Sequence, residues 1–244
     1  RAASELPSPA ELKLLEPFRK DLPPEVFTQV YKAPVTQGPD GIRANLRIAL
    51  AKLRAAGYAL KDGVMTNAAG QELRFEILVN AIQATTFERV VLPFIQNLRK
   101  IGVIAEMRVA DVNQYQNRMQ QFDFDMTTGS FPQSLSPGNE QEGFFGSEVA
   151  DQPGSRNTAG VKSPAVDAMV RHIVMAEDRD ALIAATRALD RVLLWNHYVI
   201  PQWFLPYDRL AYWNRFGKPE ELTLHGADTS TWWIDAKRDK ALVR

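Results

Sequence analysis

The residues able to do chemistry in this 244-residue chain are few, and they concentrate between Tyr115 and Gln141. With no cysteine, disulfides, thiolate metal sites and cysteine nucleophiles are excluded together. The histidines, His172, His197 and His225, stand far apart without HExxH spacing, and no P-loop, GxGxxG or GxSxG pattern accompanies them. His172 and His197 fall within or at the end of predicted helices, where a structural or exposed histidine is the ordinary reading. Asp123 and Asp125 flank Phe124 as alternate residues of a predicted strand, so both carboxylates would share one face. That pair supports two readings, a solvated or salt-bridged strand face, or the carboxylates of a metal-dependent transferase or hydrolase.

Aromatic and amide residues point to a different chemistry. Phe131 stands between Ser130 and Pro132 in a breaker-rich run, 127–141, followed by Gln133, Ser134, Asn139, Glu140 and Gln141. An aromatic wall beside several amides suits an extended peptide backbone, which needs apolar contact and hydrogen bonds at once. Tyr115, Trp203, Phe204 and Tyr207 could extend the wall, and core packing is the alternative for each. No cofactor is expected.

The elements that must position these groups follow from periodicity and caps. The sequence predicts helices over 43–56 (ended by Gly57), over 85–101 (a Thr85/Glu88 capping box, with Pro93 inside), and from Asp111 to about 120. Strands are predicted at 73–79, 103–109 and 122–126, and a glycine-marked hairpin at 57–70. Strand, helix, strand, helix, strand in succession predicts an open α/β sheet of parallel strands, with the 127–141 loop at its carboxyl edge. Beyond an irregular stretch, 144–160, Ser163-Pro164 and Asp178 open two core helices. The segment 198–213 is aromatic, proline-interrupted and extended; the Trp232-Trp233 pair reads as packing. Residues 1–40 hold a short helix, 9–19, and a proline-rich connector, which reads as a linker lying on another surface.

Basic and acidic residues balance at 29 each, so nucleic acid is not an expected partner, and no apolar run reaches the roughly 20 residues of a membrane span. The start lacks a signal-peptide pattern and reads as a chain cut in mid-protein.

The runs IRANLRIALAKLRAAGYALKDG, ERVVLPFIQNLRKIGV, VNQYQNRMQQFDFDM, GSFPQSLSPGNEQ and IPQWFLPYDRLAYWNRFG, in this order over roughly 40–235, resemble the C-terminal part of extracellular solute-binding proteins of peptide ABC importers, in the oligopeptide and microcin C uptake branch. The resemblance implies the C-terminal lobe of a bilobal periplasmic-binding-protein fold of the type II-like, large peptide-binding class. It further implies 1–40 as an interlobe linker, 41–200 as the α/β ligand-binding lobe and 201–244 as a crossover returning to an N-terminal lobe outside this chain. A periplasmic, non-enzymatic receptor is implied, whose partners are an oligopeptide or peptide-like ligand, its own N-terminal half and an inner-membrane ABC permease. The implied ligand contacts are Phe131, Gln133, Ser134, Asn139, Glu140, Gln141, Tyr115, Trp203 and Tyr207. Many family members resemble one another in a Trp, then an Asp pairing with the peptide α-ammonium, after this strand. Here Phe131 stands near the Trp, and neutral Gln133 or Ser134 stands where the Asp would be.

Overall fold

The computed structural model describes residues 2–134, 136–204, 209–221 and 227–242. In chain order its elements are helices α1 (Pro9–Leu15), α2 (Glu25–Thr28) and α3 (Ile42–Ala55); strands β1 (Ala59–Lys61), β2 (Val64–Thr66) and β3 (Arg74–Asn80); then α4 (Ala84–Arg99), β4 (Ile104–Ala110), α5 (Val112–Gln120) and β5 (Met126–Thr127). The later elements are α6 (Glu140–Phe145), α7 (Pro164–Val174), α8 (Arg179–Trp195), β6 (Phe216–Gly217), β7 (Trp233–Ile234) and α9 (Ala236–Ala241). The chain divides into two units, 1–199 and 200–244.

The first unit is built around a parallel sheet in the order β4-β3-β5, with Ile77 opposite Met107 on one side and Met126 on the other. Parallel neighbours need crossovers, and α4 and α5 supply them, as the alternating pattern predicts. Ile77, Val79 and Ala105 pack with Val91 and Ile95 of α4 to bury one sheet face. Pro93 is accommodated within α4, which runs unbroken through it. The Thr85/Glu88 capping box does not form: α4 already begins at Ala84, and the turn into it is capped earlier, by Asn80 accepting from the Ile82 N–H. Gly102 favours glycine, since its φ is +77° and a Cβ would meet Leu60 Cδ1 at 2.5 Å and the backbone Gly63 O at 3.1 Å.

The strand expected over 122–126 is shortened to Met126–Thr127, for a local reason. Phe122 adopts φ +54° as the left-handed residue after α5. Its N–H bonds to Met119 O and that of Asp123 to Arg118 O, the paired bonds that close a Schellman motif. The helix end thus consumes the first residues of the expected strand.

A second core lies among helices. Leu15, Val26, Phe144, Val166, Met169, Val170, Leu189 and Val192 form one cluster that joins α1, α2, α6, α7 and α8. Ser163 and Asp178 cap α7 and α8 as expected, each accepting from a first-turn backbone N–H. From the N-terminal segment, Leu15, Leu22, Val26 and Phe27 are buried in this core. Glu11 and Arg191, each 2% exposed, form an ion pair at 2.7 Å across 180 residues of sequence. The other Glu11 oxygen closes a capping box with Ser8. Within 144–160, expected to be irregular, Phe144 and Phe145 complete α6 and Asn157 organises the remainder. Asn157 is fully buried, donates to Gly146 O and Val161 O, and accepts from Val161 N, each at 2.9 Å.

In the second unit β6 and β7 pair antiparallel, Trp232 packs on Tyr212 at 4.6 Å between ring centroids, and Asp235 caps α9. Trp232 thus packs as expected, whereas Trp233 is half exposed over Gly217. The described residues of 198–213 form no strand.

Candidate ligand site at the carboxyl edge of the sheet

The strands β3, β4 and β5 end together at Asn80, Ala110 and Thr127, and the chain leaves β5 into the loop singled out from sequence. The last strand residue is tied inward: Thr127 Oγ1 donates to Leu78 O at 3.0 Å. Tyr115, on α5, lies over this strand end, its hydroxyl 3.3 Å from Thr127 Oγ1 and donating to Thr128 O at 3.4 Å. Asp111 positions that helix by accepting from Asn113 N and Gln114 N, the cap that its sequence predicts. Thr128 Oγ1 is buried and has no hydrogen-bond partner, a condition that normally calls for a ligand or water.

Beyond Thr128 the predicted residues fall into separate groups. Phe131 is half-buried against the edge of Phe144 at 5.5 Å and beside Phe145 at 5.3 Å, so the helical core backs it. Gln141 is buried; its amide donates to Gln133 Oε1 at 2.6 Å and to Glu140 Oε1 at 3.1 Å. The Glu140 carboxylate also accepts from the Gly138 N–H at 3.0 Å. Burial pushes the Glu140 carboxyl up, but the backbone N–H groups of Glu140 and Gly138 and the Gln141 amide outweigh it and hold it below the usual carboxylate range. Gln133, Glu140 and Gln141 therefore form a latch that closes the loop on itself. Ser134 Oγ accepts from Ser136 N, and Asn139 is exposed, with no side-chain cap to α6 although it stands at the cap position. Trp203 lies in the second unit, 55% exposed; Tyr207 and His225 lie outside the described residues.

The Asp123/Asp125 pair does not form one strand face. Asp123 precedes β5 and binds Arg118 Nε at 3.0 Å, while Asp125 Oδ2 accepts from Glu76 N at 2.9 Å. Arg118 also pairs with Glu76, whose hydrogen bond is the main reason the guanidinium is shifted further up. Asp123 thus ties the end of α5 through Arg118, which itself reaches Glu76 of β3, while Asp125 ties the chain entering β5 to β3. Among the described residues no three His, Cys, Asp or Glu side chains stand together as a metal-binding group.

Sequence reasoning singled out nothing within 151–160, part of which the structure brings close to α5 and α6. Arg156 lays its guanidinium 3.9 Å above the Phe144 ring. A groove of about 330 Å³ runs between α5 and residues 154–158, lined by Tyr115, Gln116, Met119, Gln120, Gly154, Ser155 and Thr158. No periodic signal marks 151–160; its Gly, Ser and Asn content marks only a loop.

The known proteins most informative about this architecture are bacterial binding proteins. The probable peptide-binding protein YejA of Agrobacterium fabrum is 47% identical over 234 residues, which are 95% of this chain and 38% of that protein. The similarity is to part of that protein only. YejA of Escherichia coli K12 is 38% identical across 97% of the chain and 39% of its own length, and the peptidoglycan-binding protein YepA of A. fabrum is 38% identical across 91% and 36%. The chain therefore spans a little over a third of the curated relatives it matches. No family model matches it. Among solved structures, the oligopeptide-binding protein AppA of Bacillus subtilis, in complex with a nonapeptide, superposes with a TM-score of 0.57 at 16% identity over 78% of this chain and 38% of that one. A periplasmic oligopeptide-binding protein of Thermotoga maritima with bound mannohexaose gives 0.58 at 18% identity, over 82% and 35%. These likenesses establish the fold: an α/β portion of the large, type II-like periplasmic-binding-protein class, as the sequence resemblance implied.

Proposed function

We propose that the chain supplies one half of a ligand cleft in a non-enzymatic periplasmic peptide-binding protein serving an ABC importer. The observation that carries this reading is the placement of the 127–141 loop, with Phe131 seated on Phe144 and Phe145, at the carboxyl edge of a sheet whose fold is shared with oligopeptide-binding proteins. The name of the A. fabrum relative, a probable peptide-binding protein, supports the same ligand class. Phe131 and Tyr115 would form apolar surface, and Gln133, Ser134, Asn139, Glu140 and Gln141 would meet an extended backbone once the latch opens toward it. Trp203 and Tyr207 would contribute from the crossover segment, 201–244, which would return to an N-terminal lobe, with 1–40 as the interlobe segment. An inner-membrane permease would receive the closed complex. In this reading Asp123 and Asp125 are structural, bonding Arg118 and the Glu76 N–H.

A cleft shared by two lobes owes its affinity to closure, which excludes water from both walls. The 244-residue chain alone should therefore bind tri-alanine or a nonapeptide with Kd weaker than about 1 mM in calorimetry, above about −4 kcal/mol. Micromolar binding by this chain alone would refute the shared cleft.

A further inference from the structure

Charge in this chain is balanced overall but not locally. Residues 41–71 hold five basic side chains, Arg43, Arg47, Lys52, Arg54 and Lys61, against a single acid, Asp62, although the whole chain has 29 of each sign. Four of the five stand on α3, which carries no acidic residue. Leu46, Ala49, Leu50 and Leu53 turn one side of α3 onto the core of Met65, Ile101 and Val103, which takes in β2. With about 100° between successive residues, the opposite side is the stripe of Ala44, Ile48, Ala51 and Ala55, flanked by Arg43, Arg47 and Arg54 on one side and by Lys52 on the other. The solvent-facing stripe of a helix is ordinarily polar. Here it is apolar, and its one large side chain, Ile48, is 57% exposed; Leu60 of the following hairpin is 58% exposed. Arg47 pairs with Asp40 at 2.8 Å, whereas Arg43, Lys52, Arg54 and Lys61 are exposed and have no ion pair among the described residues.

We infer that the outward face of α3, with Leu60 and Lys61 of the hairpin, docks on an anionic phospholipid surface. Apolar side chains bounded by unpaired cations suit the bilayer interface: Ile48 and Leu60 enter the acyl boundary, while the long Arg and Lys stems carry their charges up to the headgroup phosphates. The contact is with the surface, since among the described residues no helix is long and apolar enough to cross a bilayer. A second copy of the chain does not fit this face, because it would set the same cations against one another. The inference goes beyond the peptide reading and uses no residue of the proposed cleft.

The test is co-sedimentation of the 244-residue chain with two kinds of vesicle, phosphatidylcholine alone and equal parts of phosphatidylcholine and phosphatidylglycerol. The inference expects binding to the mixed vesicles at about 0.1 M salt, little to phosphatidylcholine, and release as salt is raised toward about 1 M, where the Debye length falls to about 3 Å. Each cation near such a surface contributes about fivefold, so the triple variant Arg43→Gln, Lys52→Gln, Arg54→Gln should bind about a hundredfold more weakly. Ile48→Gln, which leaves every charge in place, should lose about fivefold. Glutamine is a good helix former and the replaced cations are unpaired, and unchanged circular dichroism would certify that the variants fold. Equal binding by the parent chain and the triple variant would overturn the inference, as would equal binding to both kinds of vesicle. Capture by immobilised poly-glutamate without binding to the mixed vesicles would also overturn it, and would make an acidic polypeptide the occupant of this face.

Discussion

Replacing Glu11 by Ala separates a docked N-terminal segment from one that merely lies on the surface. The Glu11 carboxylate performs two tasks, accepting from Arg191 Nε at 2.7 Å and from Ser8 N at 3.2 Å, and both ion-pair partners are 2% exposed. Truncating it leaves the Arg191 guanidinium buried, with Glu5 O as its remaining acceptor, and Arg191 Nη1 already lacks a partner. An uncompensated buried charge of this kind costs about 3–5 kcal/mol. With a urea slope of about 3 kcal/mol/M, the midpoint followed by circular dichroism at 222 nm should fall by roughly 1–1.7 M. The double replacement Glu11→Leu with Arg191→Met removes both charges and should recover most of the loss, because apolar groups of similar volume replace a buried pair at little cost. A loss below about 1 kcal/mol for Glu11→Ala, the range of exposed ion pairs, would refute the docking of α1 against α8.

Two further outcomes follow from buried polar groups. Asn157→Ala strips partners from Val161 N, Val161 O and Gly146 O, at about 1–3 kcal/mol for each buried group left unpaired; hydrogen exchange at the Val161 amide should accelerate well before global unfolding. Asp190 is raised above the ordinary carboxyl range by burial, only partly offset by the Ala3 N–H and Arg191. The folded state then holds this proton more tightly than the unfolded chain, so the residue favours folding below its unfolded pKa, near 4, and that advantage is lost as pH rises through the folded value. Asp190→Asn should therefore raise the urea midpoint at pH 7, by a margin that shrinks on acidification toward pH 4. A margin independent of pH would show that the Asp190 carboxyl is not perturbed.

What was legible in the sequence was what short-range chemistry decides. Asp111, Ser163 and Asp178 cap the helices that their side chains predict, because a cap needs only residues three or four apart. The alternation of strands and helices specified parallel pairing, since no short connection can return a parallel strand. Gln133 and Gln141, picked out together, do stand in one place, eight residues apart, although they bond to each other.

What the tertiary structure alone decided required groups distant in sequence or a choice between equally good local options. No local pattern pairs Glu11 with Arg191 until α1 and α8 meet, and that meeting buries both of them. Asp123 and Asp125 read as a strand face until the Schellman turn at Phe122 takes Asp123 for the helix end, where Arg118 binds it. Phe131 read as a free aromatic until Phe144 and Phe145 arrived behind it, and Arg156 carried no signal at all until the fold set it over Phe144. The sequence by itself determined the α/β order and placed the 127–141 loop after the third strand of the sheet. What that loop packs against depended on contacts between segments that no local pattern connects.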